Sequence, residues 1–270
     1  MDIDQDVLDW WQTEIIEMEP GVIRYRGYPI EKLIGKIGFS QMIWLMLRGE
    51  LPDDAVSKLL DAALMAAVDH GPQAPSIAIA RMSATCGVGL NNAMASAINS
   101  LGDVHGGAGE QAVAMYLGIE EKCHDGVSLS LVVEKEVNIL LQSGQLVPGF
   151  GHRFHPVDPR SPRLLEIVDR AVEQGSIRGN FAAIARQIEI TLKKTKGKNI
   201  PMNIDGATAV IYAELGFPPP LARGLFCLSR SVGALAHAWE QTEQGGRNKG
   251  PVPKKYTWKY TGEDERNPEL

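Results

Sequence analysis

Residues 53–68 read DDAVSKLLDAALMAAV, and their pattern sets the fold class of the chain. Apolar side chains recur there every three or four positions, which is the spacing of an amphipathic helix that buries one face. The residues on that face are Val56, Leu59, Leu60, Ala63, Leu64 and Ala67. Asp53 and Asp54 come first, and an aspartate at this place can accept the N–H groups that a helix leaves unpaired in its first turn. The stretch therefore predicts a capped helix that packs against a core.

The same helical spacing continues on both sides of this stretch. It recurs in residues 39–48, 75–86, 89–101, 108–121, 128–142, 162–174, 179–195, 206–215 and 219–242. Alternation with a period of two, which is typical of strands, is confined to the short segment GVIRYR at residues 21–26. We therefore predict an all-α protein.

Composition and charge limit the kinds of partner. Hydrophobic residues make up 44% and charged residues 22% of the 270 residues, which is typical of a soluble globular protein with one large or two small domains. Lysine and arginine number 27 and aspartate and glutamate 33, so the formal net charge is −6. Such a chain is not expected to bind nucleic acid or anionic membranes over its whole surface. The basic, aromatic stretch 247–259 leaves nucleic-acid binding open as a remote alternative.

Signals for a membrane span, a leader, a disulfide framework or a metal site are missing from the sequence. No apolar window of about 18 residues is present, and the N-terminal MDIDQDVLDWW is acidic where a signal peptide would be basic. Cys86, Cys123 and Cys227 are odd in number and far apart. His152 and His155 lie in a proline-broken loop, which does not favour a metal-ligand pair. We therefore expect a cytoplasmic protein without a bound metal.

Loops rich in glycine and proline separate the predicted helices, and three of the four longest carry ionisable side chains. Their sequences are GDVHGGAG (102–109), PGFGHRFHPVDPRSP (148–162), KGKNIPMNIDG (196–206) and GFPPP (216–220). P-loop, HExxH and GxSxG motifs do not occur, which argues against nucleotide hydrolysis, zinc proteolysis and α/β-hydrolase chemistry. The chemistry is therefore expected in the first three of these loops.

Two histidines in these loops have both a functional and an ordinary interpretation. His105 precedes a glycine turn that opens a helix, where a ring donor can polarise a carbonyl oxygen or simply complete a turn. His152 is followed by Arg153 and Arg160. Two arginines beside a histidine suit a substrate that bears carboxylates, but they also suit a solvated surface loop.

Three further residues allow two interpretations each. Asp205 can be a general base, or the N-cap of the helix that follows it. His70 is placed at a helix end, where the helix dipole stabilises a cation whether or not a ligand binds. Arg230 falls inside an apolar helix and needs an anionic partner, which can be a protein carboxylate or a substrate. His237, on the same helix, is expected to be a core histidine.

The order of the motifs resembles that of the citrate synthase family. Seven segments carry the resemblance: GVIRYRGYPI (21–30), LRGELP (47–52), DH (69–70), HGGAGE (105–110), GFGHR (149–153) with DPR (158–160), NIDG (203–206) and SRSVGALAH (229–237). One such match is weak, but seven in order cover most of the chain. The resemblance therefore favours the functional interpretation of the residues above.

The resemblance implies an all-α fold of two domains. Residues 1–106 with 217–270 would form a large helical domain, and residues 107–216 a small helical domain that closes over a cleft. It also implies a homodimer or a larger assembly. The substrates would be a coenzyme A thioester and an oxaloacetate-like keto acid, with no tightly bound cofactor and no metal.

The resemblance further implies a role for each acid–base residue. His105 would bind the thioester oxygen of acetyl-CoA, Asp205 would remove a methyl proton, and His152 would bind the carbonyl oxygen of oxaloacetate. The residues that hold the four-carbon acid would be His70, Arg160, Arg230 and, from the partner subunit's tail, Arg247. The residues near coenzyme A would be Gly149, Phe150, Gly151 and Arg153.

The chain also resembles the short members of this superfamily, the citryl-CoA lyases, which are similar to the C-terminal module of ATP-citrate lyase. Leu51-Pro52 leads to Asp69-His70 in under twenty residues, and the tail GGRNKGPVP is similar to theirs. This implies cleavage of citryl-CoA, in which His152 takes the hydroxyl proton and Asp205 reprotonates the enolate. The alternatives are a condensing synthase of the citrate or 2-methylcitrate type, a lyase or synthase acting on a related hydroxyacyl-CoA, and a non-catalytic binding subunit.

Overall fold

The computed structural model describes residue 7, residues 9–123 and residues 126–268. Much of the acidic N-terminal stretch, on which the absence of a leader was predicted, lies outside the described residues. The strands are β1 (Ile16–Glu19), β2 (Val22–Tyr25) and β3 (Tyr28–Pro29). The helices are α1 (Ile30–Leu33), α2 (Phe39–Arg48), α3 (Asp54–Ala66), α4 (Pro75–Thr85), α5 (Leu90–Asn99), α6 (Ala108–Lys122), α7 (Leu129–Gln142), α8 (Arg160–Glu173), α9 (Asn180–Lys196), α10 (Ile204–Glu214) and α11 (Pro219–Gln244). The predicted helical fold is confirmed.

The helix boundaries follow the local sequence signals. Each predicted helix is present, and its ends are shifted by at most two residues. The cap of α3 is Asp53, whose carboxylate accepts the N–H of Val56 at 2.8 Å. Helix α2 ends at Gly49, whose φ of 90° continues the chain in the left-handed region that glycine tolerates. In the described part of the chain, no helix is long and apolar enough to cross a membrane.

The small sheet is larger than the sequence predicted. Strands β1 and β2 pair antiparallel, with Ile16 opposite Tyr25 and Glu19 opposite Val22, and β3 pairs antiparallel with β2. Only the segment around β2 was predicted. All four residues of β1 are exposed. Without a buried apolar face, the sequence of this strand lacks the apolar–polar alternation by which a strand is predicted.

The chain divides into two compact units. Unit 1 comprises Met1–Val68 and Gly106–Ser229, and unit 2 comprises Asp69–His105 and Arg230–Leu270. The predicted domains have other boundaries. The prediction assigns residues 1–68 and 217–229 to the large domain, whereas in the structure they belong to unit 1 together with the predicted small domain. That predicted division stays a prediction.

The core of unit 1 surrounds helix α10. Ile204 and every residue from 206 to 213 are buried, because α3, α6, α8 and α9 pack around the helix. A helix that is apolar on all sides is stable only in such surroundings. The polar N-terminus of α10 is therefore held in a fixed place by the packing of its apolar length.

The core of unit 2 consists of small side chains. Helices α4 and α5 pack together with the second half of α11. The buried residues are Ala74, Ile77, Ala80, Ala93, Ala97, Ala234 and Ala238. Alanines let helix backbones approach closely, so the polar groups at the edge of this core are brought near one another.

Candidate active site

Two loops of unit 1 are joined by backbone hydrogen bonds. Gly151 donates its N–H to the carbonyl oxygen of Pro201 at 2.8 Å, and Asn203 donates its N–H to that of Gly149 at 3.0 Å. The side-chain amide of Asn203 also donates to the oxygen of Gly151 at 2.7 Å. The loop that carries His152 is thereby fixed to the segment that leads into α10, whose second residue is Asp205.

The structure corrects the ordinary interpretation of Asp205. The N-cap of α10 is Asn203, whose side-chain oxygen accepts the N–H groups of Asp205 at 3.0 Å and of Gly206 at 3.2 Å. Asp205 is the second residue of the helix and is half-buried at its positive end. Its carboxylate is therefore not the one that caps the helix.

His152 has one ring nitrogen committed to its own loop. Nδ1 accepts the N–H groups of Phe154 and His155, both at 3.0 Å, so the proton of the neutral ring lies on Nε2. Burial lowers the pKa of His152, Asp158 acts in the opposite direction, and the charges of His155 and Arg160 lower it further. At neutral pH the ring is thus a neutral hydrogen-bond donor at Nε2.

Arg160 is held by a buried carboxylate that the sequence analysis did not single out. Its Nε and Nη2 donate to the two oxygens of Asp158 at 2.9 and 2.8 Å, and its Nη1 donates to the oxygen of Ala66 at 3.3 Å. The side chain of Asp158 is fully buried and also accepts the N–H of Ile204 at 3.1 Å. Burial alone would raise the pKa of Asp158, but the bonds from Arg160 and Ile204 hold it below its usual range. The D-x-R spacing was the one signal available for this pair.

The residues predicted to lie near coenzyme A differ in their surroundings. Phe150 is buried in the core of unit 1, whereas Arg153 is exposed. Gly149 has a φ of 85° and Gly151 a φ of 83°, both in the left-handed region. The segment thus presents backbone groups and one exposed cation, and its role toward coenzyme A stays a prediction.

His105, in unit 2, is also a neutral donor. Its Nε2 accepts the N–H of Ser76 at 3.1 Å and lies 3.0 Å from the hydroxyl of the same residue. The proton of the neutral ring is therefore on Nδ1. Burial lowers the pKa of His105, and the positive charge of Arg230 lowers it further. Nothing in the local sequence indicated Ser76, which lies 29 positions away at the start of α4.

The other predicted residues of unit 2 occupy three different segments. His70 is exposed in the loop after α3, so its predicted place at a helix end is wrong, because that helix ends at Ala66. Arg230 lies in α11 and is 5% exposed, as expected for an arginine in an apolar helix. Arg247 is exposed in the tail, whose next residue, Asn248, donates its N–H to the oxygen of Thr85 at 2.9 Å.

The predicted site residues are therefore divided between the units. His152, Arg160 and Asp205 belong to unit 1, and His70, His105, Arg230 and Arg247 belong to unit 2. Among the residues that the structure describes, no group of three or more His, Cys, Asp or Glu side chains is placed to hold a metal ion. Unit 1 offers a carboxylate, a neutral histidine donor and a cation, and unit 2 offers a second neutral histidine donor and further cations.

Comparison with known sequences returns a family profile. The profile described as "Citrate synthase, C-terminal domain" matches residues 7–57 and 47–250. The citrate synthase of Haloferax volcanii is 31% identical over 222 residues, which are 82% of this chain and 54% of that protein. The chain thus spans about half the length of the curated relatives that it matches.

Comparison with solved structures returns proteins of the same fold. The structure of citryl-CoA lyase from Hydrogenobacter thermophilus is similar with a TM-score of 0.83 and 32% identity, over 95% of this chain and 96% of that chain. The ATP citrate lyase of Methanothrix soehngenii, solved with citrate and coenzyme A, has a TM-score of 0.79 and 20% identity, over 98% of this chain and 45% of that chain.

Proposed function

The chain belongs to the citrate synthase family, and from this premise we propose that it cleaves citryl-CoA to acetyl-CoA and oxaloacetate. The observation that supports cleavage is the similarity to a citryl-CoA lyase, with a TM-score of 0.83 and 32% identity over 95% of this chain. The matched citrate synthase is about twice as long as the matched region. The proposed reaction draws on residues of both units and on a coenzyme A thioester that enters as substrate.

His105 stabilises the enolate that forms when the carbon–carbon bond breaks. The methyl group of a thioester is a very weak acid, so its enolate needs a hydrogen-bond donor in a site that excludes water. Ser76 occupies Nε2 of His105, which leaves the Nδ1–H as the donor to the thioester oxygen. Because burial and Arg230 lower its pKa, the ring stays neutral, so that Nε2 accepts from Ser76 while Nδ1–H donates.

His152 binds the oxygen that becomes the keto group of oxaloacetate. In the sequence analysis it was also expected to take the hydroxyl proton. The neutral ring already carries its proton on Nε2, and two backbone N–H groups oppose a proton on Nδ1. We therefore assign to His152 a hydrogen bond from Nε2–H to the hydroxyl oxygen, and the proton transfer to a carboxylate.

Asp205 is the carboxylate that can carry this proton. As the carbon–carbon bond breaks, the hydroxyl proton passes to Asp205, the electron pair of the bond becomes the enolate, and the same proton then returns to the enolate carbon as a methyl hydrogen. The balance closes with one base and no external proton. In the condensing direction the same group removes the methyl proton.

The cations hold the carboxylates of the four-carbon acid. Arg160 and Arg230 supply guanidinium donors, His70 supplies a ring donor, and Arg247 would serve the site of a partner copy in a homodimer or larger assembly. Asp158 occupies two donors of Arg160, so a ligand carboxylate meets the remaining N–H bonds of the guanidinium. Coenzyme A would lie along Gly149, Phe150, Gly151 and Arg153.

The proposal is tested with the purified protein and two parallel assays. Synthetic citryl-CoA is supplied in one, and oxaloacetate release is followed with malate dehydrogenase. Oxaloacetate and acetyl-CoA are supplied in the other, and free thiol is followed. We expect fast release of oxaloacetate and little free thiol, whereas fast thiol release without cleavage of added citryl-CoA would contradict the proposal.

A condensing synthase is the second candidate. The observation that favours it is the 31% identity to a protein named citrate synthase. The thiol assay with acetyl-CoA, and then with propionyl-CoA, distinguishes the citrate and 2-methylcitrate types. If the protein turns over no pair of acyl-CoA and keto acid, the remaining interpretation is a non-catalytic binding subunit.

A further inference from the structure

Three polar side chains of unit 2, from three segments of the chain, form a connected row. Nε2 of His237 lies 3.2 Å from Oδ1 of Asp69, and Nδ1 of the same ring lies 3.0 Å from Nη1 of Arg81. Arg81 also pairs with Glu240 and donates from Nη2 to Gln244 at 2.7 Å. His237 was expected to be a core histidine, and the structure places it in the middle of this row.

The chemistry of the three groups determines which of them donates a proton to its neighbour and which accepts. An arginine only donates hydrogen bonds, so Nδ1 of His237 must accept, and the proton of the neutral ring lies on Nε2 toward Asp69. Oδ1 of Asp69 is shielded from solvent, and its 3.2 Å contact with Nε2 of His237 is an electrostatic pairing and not a well-aligned hydrogen bond. Burial alone would raise the pKa of Asp69, but the N–H of Gly71, the ring of His237 and the N–H of His70 hold it below its usual range. The row therefore ends on a charged carboxylate.

Asp69 controls the backbone that presents His70. Its Oδ2 accepts the N–H of Gly71 at 3.1 Å, and the same carboxylate takes the N–H of His70. Gly71 has a φ of 80°, which closes the chain into a tight turn. The orientation of this turn, and with it the direction of the His70 side chain, depends on where the carboxylate of Asp69 is held.

Each segment joined by the row either carries a predicted site residue or is hydrogen-bonded to one. The turn carries His70, and α11 carries Arg230 two helical turns before His237. Helix α4 carries Arg81, and its first turn holds His105 through Ser76. The row is partly buried beside the alanine-rich core, with the side chains of Arg81, His237 and Asp69 exposed by 16%, 18% and 40%. Partial burial of polar side chains still costs desolvation. Hydrogen-bonded polar side chains fix the relative orientation of the segments that they join, whereas apolar side chains would only fill the volume.

We propose that Asp69, His237 and Arg81 are positioning residues, which hold His70 in register with Arg230 and His105 for binding of the four-carbon acid. This inference rests on the proposed function, because it takes His70 as a ligand of that acid. None of the three touches substrate in this proposal. They act through the turn at residues 69–71 and through the two helices.

The test compares two variants of His237 in the full-length protein. His237→Leu removes both the donor and the acceptor, whereas His237→Gln keeps one of each in a side chain of similar length. Since a hydrogen bond to a charged group is at stake, we expect His237→Leu to weaken binding of oxaloacetate about tenfold in calorimetry. Binding of coenzyme A should stay within about twofold, and His237→Gln should recover most of the loss. The KM for citryl-CoA should rise more than kcat falls.

Controls separate positioning from general damage. Glu243→Gln, an exposed change on the same helix, should bind both ligands as the parent does. If His237→Leu does not fold, as judged by circular dichroism, Arg81→Gln supplies the same comparison. The proposal is overturned if oxaloacetate binding is unchanged, if coenzyme A binding weakens by the same factor, or if His237→Gln is as poor as His237→Leu.

Measurements on the parent protein distinguish failure of the proposed function from failure of the positioning role. A parent protein that neither cleaves citryl-CoA nor condenses acetyl-CoA with oxaloacetate removes the proposed function. A parent protein that turns over while His237→Leu binds oxaloacetate normally removes only the positioning role.

Discussion

Gly149 and Gly206 approach each other so closely that a Cβ atom on Gly206 would lie 2.4 Å from the carbonyl oxygen of Gly149. A Cβ on Gly149 would lie 2.6 Å from the Cα of Gly206. Gly149 belongs to the loop that carries His152, Gly206 lies next to Asp205 in the first turn of α10, and the contact is between backbones. The loop can approach the helix this closely because neither residue has a side chain.

The first prediction concerns this contact. We expect Gly206→Ala to push the loop at Gly149 away from the first turn of α10, because the added methyl meets backbone atoms that cannot rotate away. Overpacking of this kind costs roughly 1–3 kcal/mol of unfolding free energy. Urea unfolding measures that loss, and the citryl-CoA assay should show a larger fall in kcat than in affinity for coenzyme A.

Gly224→Ala is the matched control for that change. Gly224 lies inside α11, and a Cβ there would meet nothing within 4 Å. Since alanine favours a helix interior by about 1 kcal/mol over glycine, this variant should be as stable as the parent or more so. Equal stability of Gly206→Ala and Gly224→Ala would show that the glycine contact is unimportant.

The second prediction concerns the base. Asp205→Asn should lower kcat for citryl-CoA cleavage by about 10²–10⁴, which is the usual contribution of a positioned general base. The helix should remain intact, because its cap is Asn203 and not Asp205. Activity and circular dichroism measured on one preparation check both statements.

Asp54→Asn is the control for a carboxylate lost from the first turn of a helix. Asp54 begins α3 and is exposed. This variant should keep full activity. A fall in activity of the same size in both variants would count against a catalytic role for Asp205.

The third prediction concerns pH. The pKa values of His105 and His152 are lowered from 6.5, and burial is the main cause for each. Both rings are therefore mainly neutral at pH 7, and the midpoint of protonation of each lies below 6.5. We expect titration of these two rings to leave kcat/KM for citryl-CoA unchanged near pH 7. As the pH falls below 6.5 and the rings become protonated, kcat/KM should decrease.

The same pKa shifts determine how the unfolding free energy changes with pH. The unfolded chain takes up protons on these rings near pH 6.5, before the folded protein does, so protonation favours unfolding. Unfolding free energy should therefore decrease as the pH falls through 6.5. The decrease should be smaller in His105→Asn, and an acid limb of kcat/KM that begins above pH 7 would contradict the assignment.

The fourth prediction concerns the buried pair of Asp158 and Arg160. Asp158→Asn leaves the guanidinium without its counter-charge, and removal of one partner of a buried pair typically costs about 3–5 kcal/mol. Arg160 is partly exposed, so we expect the lower end of that range. The measurements are urea unfolding and calorimetry with oxaloacetate, whose binding should weaken.

Asp169→Asn is the control, because Asp169 and Arg186 form an exposed pair of the same kind at 2.7 Å. Its loss should cost less than about 1 kcal/mol. The pKa of Asp158 is lowered in the folded protein, so its contribution is present above about pH 4 and lost as the pH falls through the folded value. The stability difference between the parent and Asp158→Asn should accordingly shrink in acid.

Much of the fold and the family could be predicted from the sequence. The helices follow from periodic apolar spacing and from local caps such as Asp53, which depend on neighbours only a turn away. The family inferred from seven ordered motifs is confirmed by the profile that matches residues 7–57 and 47–250. The motifs also selected the histidines and the aspartate on which the proposed chemistry depends.

Contacts between distant segments required the tertiary structure. Arg81 and His237 are 156 positions apart, and Asp158 and Ile204 are 46 apart, so no local pattern joins them. The protonated nitrogen of His105 depends on Ser76, which lies 29 positions away. The cap at Asn203 and the protonated nitrogen of His152 use N–H groups only two or three positions along the chain, in segments that backbone bonds from Gly151 to Pro201 and from Asn203 to Gly149 hold together. Helical spacing and motif order are properties of neighbours along the chain, whereas contacts between distant segments form only when apolar burial has brought those segments together.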